Sequence, residues 1–444
     1  MSGWPRTLVL GIVLAVLVPT SAATLLATAP VLQARPGRLV LGYYGPGDPN
    51  SWTSLQAHVE HLDMVAGHWL SIDACGNLTS RDDQTLKQFA RATGIRIFPS
   101  LLTLSGWLNH RLLTDQTVKA QSIQQIVAYI VAEDYDGFDL DIEAVDASDR
   151  DAYTAYVAAL GAALHERGKV LTLALAAKSR DVTTGWAGAY DYAALAPHAD
   201  LITIMAYEYH GAWGGPGPVA PADAVEQVLA FATSQIPAEK ILLGLAFYGY
   251  DWNTTSGGAR SLGYAQAARL AAQYGAPIVL DPATQSATFR YQVAAGEPAP
   301  SLPPVPPLQH PATTREAPPC PVVGPTATPS PLAPPTPEPN ALQDHEVWLE
   351  ESASAAVRLA LADRYGVGGV ATWRLGLEDP QVWPLFQQWR RGERRAGGES
   401  AAVPPLLRTS VTRAARAGAG SGAAVGAYAR LHHGLAGRRE SWLP

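Results

Sequence analysis

Residues 136–143 read Asp136-Gly137-Phe138-Asp139-Leu140-Asp141-Ile142-Glu143, and their alternation decides the fold. On a strand, alternate side chains share a face. Asp139, Asp141 and Glu143 then point one way, and Phe138, Leu140 and Ile142 the other. A strand whose second face is wholly large and apolar has that face buried. Acids grouped on the opposite face repel one another and favour holding protons. Two uses justify that cost. One is proton transfer, in which pKa values pushed apart make one group an acid and another a base. The other is a hard cation such as calcium or magnesium. The EF-hand pattern fails, because Ala144 stands at its glycine position and Arg150 at its final glutamate.

Outward from this segment, short apolar runs alternate with helical patterns from Arg38 to Gly376, which implies a parallel sheet. Eight strands are expected: Arg38–Gly45, Met64–Ile72, Arg96–Leu102, Gly137–Glu143, Val170–Lys178, Leu201–His210, Ile241–Asp251 and Gly369–Leu375. Between Asp149 and Arg167, Tyr153, Tyr156, Val157, Leu160 and Leu164 recur at helical spacing. Thr114 or Asp115 can cap a helix that reaches about Ala132. Eight strands, each followed by a helix, close into a (β/α)8 TIM barrel, an α/β fold, whose active sites lie at the C-terminal mouth. An open doubly wound sheet uses the same alternation. However, Gly42, Gly45 and Gly47 after the first strand do not make a dinucleotide-binding pattern.

The barrel is expected over residues 36–392, with a small insertion after the seventh strand. Within that insertion, Ala287–Gln292 and Glu346–Glu350 read as a rim hairpin. Residues 298–339 hold 17 of the chain's 36 prolines, a composition that reads as an extended disordered loop. Residues 1–30 read as a secretory signal: Arg6, an apolar run from Leu8 to Val18, then Thr20-Ser21-Ala22-Ala23. Apolar residues resume at Leu25, so an uncleaved membrane anchor is the alternative. Either places the remainder outside the membrane, secreted or anchored. Residues 393–444 carry eight Arg against three Glu, a basic flexible tail on a chain of net charge −7. The acidic body argues against nucleic acid as a partner. Two cysteines, Cys75 and Cys320, exclude a disulfide scaffold and a cysteine zinc site. No native bridge between them is expected.

The octapeptide resembles the DGxDxDxE signature of glycoside hydrolase family 18, the chitinase-like family. The likeness extends from about Leu41 to Trp383 through LGYYG at 41–45, KILLGLAFYGYDW at 240–252, HEVWLEE at 345–351 and GVATWRLG at 369–376. Within the family it looks closest to the spore-germination, cortex-lytic N-acetylglucosaminidases. The resemblance implies hydrolysis of β-linked N-acetylglucosamine polymers, peptidoglycan or chitin, with no cofactor and no metal. It also implies retention through attack by the substrate's own acetamido oxygen, an exception to the two-carboxylate scheme. Glu143 would protonate the leaving oxygen and then activate water. Asp141 would orient the acetamido N–H, and Asp139 would tune the proton on Asp141. Tyr207 would bond the acetamido carbonyl, with Met205 on the same face. Trp373 would floor the reacting sugar, and Tyr44 and Tyr248 would wall the cleft. The chain departs from the pattern at Glu208, where many members have Asp, and at Ser100-Leu101-Leu102, where chitinases have Ser-x-Gly-Gly.

Two other readings compete. A lectin-like barrel that binds sugar without cleaving it is disfavoured because Glu143, the acid such proteins lose, is present. A metal-dependent hydrolase needs further ligands from other strand ends, for which His210 and Glu208 are the candidates.

Overall fold

The computed structural model describes residues 38–294 and 342–392. The expectations for residues 1–30, 298–339 and 393–444 lie outside the described residues.

Eight parallel strands form a closed ring: β1 (Leu39–Tyr44), β2 (Met64–Ile72), β4 (Arg96–Thr103), β5 (Gly137–Ile142), β6 (Val170–Ala176), β7 (Leu201–Met205), β8 (Ile241–Ala246) and β14 (Gly369–Trp373). A short β3 (Leu78–Ser80) runs antiparallel beside β2. Closure comes from β1, which pairs with both β2 and β14. Helices cover the ring: α1 (Pro49–His58), α2 (Gln84–Thr93), α3 (Gly106–Thr114), α4 (Gln116–Ala132), α5 (Arg150–His165), α6 (Tyr192–Leu195), α7 (Ala222–Gln235), α9 (Ser352–Tyr365) and α10 (Val382–Arg391). The (β/α)8 barrel expected from the sequence is thus the fold. Among the described residues, no helix is long and apolar enough to cross a membrane.

Local chemistry explains the element ends. Asp115 accepts from the backbone N–H groups of Thr117 and Val118, and so caps α4 where an orphan donor pair needs an acceptor. Asp83 caps α2 in the same way, and Gly94 ends that helix in the left-handed conformation.

The expected seventh strand divides in two. β8 ends at Ala246, and the chain turns at Phe247, whose N–H donates to Trp373 O at 2.7 Å. It then continues as β9 (Tyr248–Asn253), which leaves the ring for a second sheet. That sheet has the order β10 (Ala259–Gly263), β9, β13 (Leu342–Leu349), β12 (Ala287–Ala294) and β11 (Val279–Leu280), with α8 (Tyr264–Gln273) beside it. The rim hairpin is therefore the centre of a five-stranded antiparallel sheet. Its own core gathers Leu262, Leu270, Phe289, Val347 and Leu349. A buried ion pair helps tie it to the barrel. Arg358 on α9 lies 3.3 Å from Glu350, and donates to Ser286 Oγ at 2.9 Å and to the Ala220 carbonyl.

Two apolar regions flank the ring. Phe138, Leu140 and Ile142 join the layer between strands and helices. Leu39, Leu41, Met64, Ala66, Phe98, Leu201, Leu242 and Ala371 fill the barrel's inside. Cys75, just beyond β2, is disulfide-bonded, which corrects the expectation that no bridge forms. The chain's other cysteine, Cys320, lies outside the described residues.

Candidate active site

Register builds the site. His68 on β2 stands opposite Ser100 on β4, Ser100 opposite Asp139 on β5, and Asp139 opposite Thr172 on β6. Four adjacent strands thereby set polar side chains at one level above the apolar filling.

Asp139 is fully buried. It accepts from Ser100 Oγ at 2.6 Å, Thr172 Oγ1 at 2.5 Å and Tyr43 OH at 3.5 Å. Burial, and then the charge of Asp141, push its pKa up to about 6, against the opposing pull of the Ser100 and Thr172 hydroxyls. Asp141, one pleat higher, is also buried, and burial pushes it up to about 7. Its Oδ2 lies 3.1 Å from His68 Nε2, while no hydrogen bond from the described residues reaches its Oδ1. Burial holds the His68 ring down at about 4. The Tyr43 hydroxyl is pushed well up by burial and by the charges of Asp139 and Asp141. The two aspartates interact, so their protons belong to the pair.

Glu143 follows the last residue of β5 and is half-buried. Its N–H donates to Thr103 O at 2.9 Å, and its carbonyl accepts from the Asn109 side chain, which in turn accepts from Thr103 Oγ1. The next residue, Ala144, has φ +52, a conformation that costs a non-glycine residue about 1–3 kcal/mol. The backbone of the expected acid is thus fixed on both sides, just past the C-terminal end of the strand that carries the two buried carboxylates.

The other expected residues divide. Trp373, half-buried, ends β14 with its ring 5.4 Å from Tyr43 and 5.1 Å from His68. Met205 ends β7 with the inward parity of Leu201 and Thr203. Tyr207 lies just past that strand, 6.3 Å edge-on from Tyr248, which starts β9. Glu208 has φ +60, and its carboxylate accepts from Tyr250 OH at 2.8 Å. This contact ties the family's variant position to the inserted sheet. His210 sits in the following loop, 3.3 Å from Gly215 O.

Tyr44 is a correction. Its side chain faces the helices, edge-on to Trp52, and its hydroxyl donates to Asp83 at 2.8 Å. Tyr43, one residue earlier, is the tyrosine that enters the barrel. A one-residue shift flips a strand side chain to the other face. Reading from sequence also missed His68, Ser100 as a donor, Thr172 and Asn109.

These carboxylates on a closed barrel coincide with a family assignment. The family model described as Glycosyl hydrolases family 18 matches residues 40–378. The chain belongs to that family. As a family 18 glycosidase it is 23% identical over 365 residues to the "Uncharacterized glycosylase YvbX" of Bacillus subtilis (strain 168), covering 80% of this chain and 92% of that protein. It is 29% identical over 287 residues to the "Cortical fragment-lytic enzyme" of the same organism, covering 64% of this chain and 56% of that enzyme. The match thus spans little more than half that relative's length. The structure of a chitinase from Chromobacterium violaceum ATCC 12472 matches with TM-score 0.65 and 27% identity, over 80% of this chain and 100% of that one. The spore cortex-lytic enzyme SleL of Bacillus megaterium QM B1551 shares the fold, with TM-score 0.63 and 24% identity, over 79% and 73% of the respective chains.

Proposed function

We propose that this family 18 glycosidase cleaves β-linked N-acetylglucosamine polysaccharide, peptidoglycan or chitin, with retention and with the substrate's acetamido group as nucleophile. One observation carries the reading. Two buried aspartates with raised pKa values stand on the strand whose C-terminal end is followed directly by a half-buried glutamate. A buried pair of interacting carboxyls with raised pKa values is suited to orient and balance charge, and leaves Glu143 to exchange protons with the substrate.

In this scheme a sugar rests on Trp373 with its acetamido group directed at Asp141. Glu143 gives its proton to the leaving glycosidic oxygen as the acetamido oxygen attacks the anomeric carbon. The acetamido N–H is held by Asp141, whose negative charge offsets the positive charge that develops on the ring. Asp139, held by its three hydroxyl donors, sits deeper and tunes the proton on Asp141 through its charge. Water, deprotonated by Glu143, then opens the oxazolinium ring and restores the starting configuration. We also propose that the enzyme works outside the membrane, secreted or anchored by residues 1–30. The disulfide at Cys75 supports an oxidising compartment.

The test is product analysis by mass spectrometry. The full chain is incubated separately with chitin oligosaccharides and with peptidoglycan, beside a Glu143→Gln variant. Products absent from the variant support the acid role, and the substrate that yields them identifies the polymer. Removing a general acid is expected to slow turnover about 100- to 10,000-fold. Sugar binding with no products from the wild-type chain on either polymer refutes the hydrolase reading in favour of a lectin-like barrel.

A further inference from the structure

The scheme above leaves unused a buried histidine that touches its carboxylates. His68 follows Met64 and Ala66 on the inward face of β2 and is 2% exposed. Its ring is packed between Tyr43, at 5.7 Å, and Trp373, at 5.1 Å. The charged and titratable groups around it are Asp139 and Asp141 from β5, Arg374 just after β14, and the Tyr43 hydroxyl from β1. Arg374 is itself buried and lies 2.6 Å from Asp48. An apolar ring would fill the same space without the cost of burying two ring nitrogens.

The two aspartates are provided for unequally. Asp139 has three hydroxyl donors. Among the described residues, Asp141 has one polar neighbour at contact distance, His68 Nε2 at 3.1 Å from Oδ2, and the approach is off the line of a well-formed hydrogen bond. A small rotation of either side chain would align it. Oδ1 meanwhile takes no hydrogen bond from the described residues.

We propose that His68 is a positioning residue for Asp141: its neutral ring, protonated on Nε2, holds Oδ2 toward β2 and leaves Oδ1 for the N–H of a substrate acetamido group. The inference rests on the proposed hydrolase function and extends it to a residue on a different strand. His68 keeps its proton throughout. It acts by fixing the direction of the carboxylate before the substrate arrives, so that no search over side-chain rotamers precedes attack. Burial favours the neutral ring this role requires.

Two substitutions in the full chain separate positioning from packing. His68→Phe keeps a ring and removes the donor, whereas His68→Gln discards the ring and keeps an N–H at similar reach. With a chitin oligosaccharide or peptidoglycan fragment that the wild type cleaves, His68→Phe is expected to lower kcat about 10- to 100-fold with KM changed less than about threefold. His68→Gln is expected to recover most of that loss. A His68→Phe enzyme with wild-type kcat overturns the proposal, as does a His68→Gln enzyme no faster than His68→Phe. Nitrogen-15 NMR of histidine-labelled protein without substrate gives a readout independent of turnover. The His68 ring is expected as the neutral Nε2–H tautomer, with resonances displaced in Asp141→Asn. A ring protonated on Nδ1 alone, or one indifferent to Asp141→Asn, refutes the contact even if the wild type cleaves neither polymer. Absence of wild-type cleavage by itself counts against the proposed function and leaves the NMR result to decide the role of His68.

Discussion

Replacing Asp141 with Asn should stabilise the fold, and should do so more at alkaline than at acid pH. Asp141 is buried, and burial raises its pKa from an ordinary 3.8 to about 7 in the folded chain. A carboxyl whose folded pKa is raised contributes stability that is fully present below its unfolded value and is lost as pH rises through the folded one. Each pH unit between those values costs the fold at most about 1.4 kcal/mol. The total from this group has an upper bound of about 4 kcal/mol. Asn has nearly the same shape and cannot ionise, so the variant escapes the loss. Between about pH 5 and about pH 8 its advantage over wild type should grow by about 3 kcal/mol, or about 4 °C in Tm for a chain of this size. His68 supplies an internal check of sign. Its folded pKa is depressed from 6.5 to about 4, so in wild type it adds stability as pH rises toward 6.5, the sign opposite to that of Asp141. Above that pH His68 adds no further change, and the divergence of the two proteins there reports the buried carboxyls. Thermal melts followed by circular dichroism across this range are sufficient. A variant less stable than wild type near pH 8, or a difference that does not change with pH, would refute the argument that burial raises the Asp141 pKa.

Three further substitutions test other parts of the structure. Asn109→Ala removes the donor to the Glu143 carbonyl and the acceptor of Thr103 Oγ1. It should cost about 1–3 kcal/mol in urea unfolding and lower kcat with little change in KM, because the acid loses its fixed backbone. Tyr250→Phe leaves Glu208 without its donor at 2.8 Å. It is expected to weaken binding of oligosaccharide to the Glu143→Gln protein about fivefold by calorimetry, the equivalent of about 1 kcal/mol. Arg358→Met strands Glu350 as a buried charge and should cost about 3–5 kcal/mol, measured by denaturant melts. Combining it with Glu350→Gln should return a substantial part of that loss.

What could be read from sequence follows from how each strand is buried. β5 was legible because its two faces differ chemically, carboxylates on one and Phe138, Leu140 and Ile142 on the other. Strand period alone then assigns the faces. α4 was legible at its start because Asp115 both ends one helix and caps the next. β1 is buried at all six positions, so Tyr43 and Tyr44 carry no sign of which enters the barrel. The sequence likewise shows no break at Phe247, where an unbroken run of apolar and aromatic residues conceals the passage from barrel to inserted sheet. His68 was hidden for a more general reason. β2 is buried at eight of its nine positions, and a lone histidine there reads as core. Its meaning comes from the cross-strand register His68–Ser100–Asp139–Thr172, which joins four segments separated by intervening helices. A barrel fixes that register through strand tilt and stagger around the whole ring, a property of all eight strands together. The residues proposed to act on substrate directly sit in motifs local enough to be read from sequence. Those that orient them are brought in by register, so in such a barrel the supporting shell has to be found in the structure.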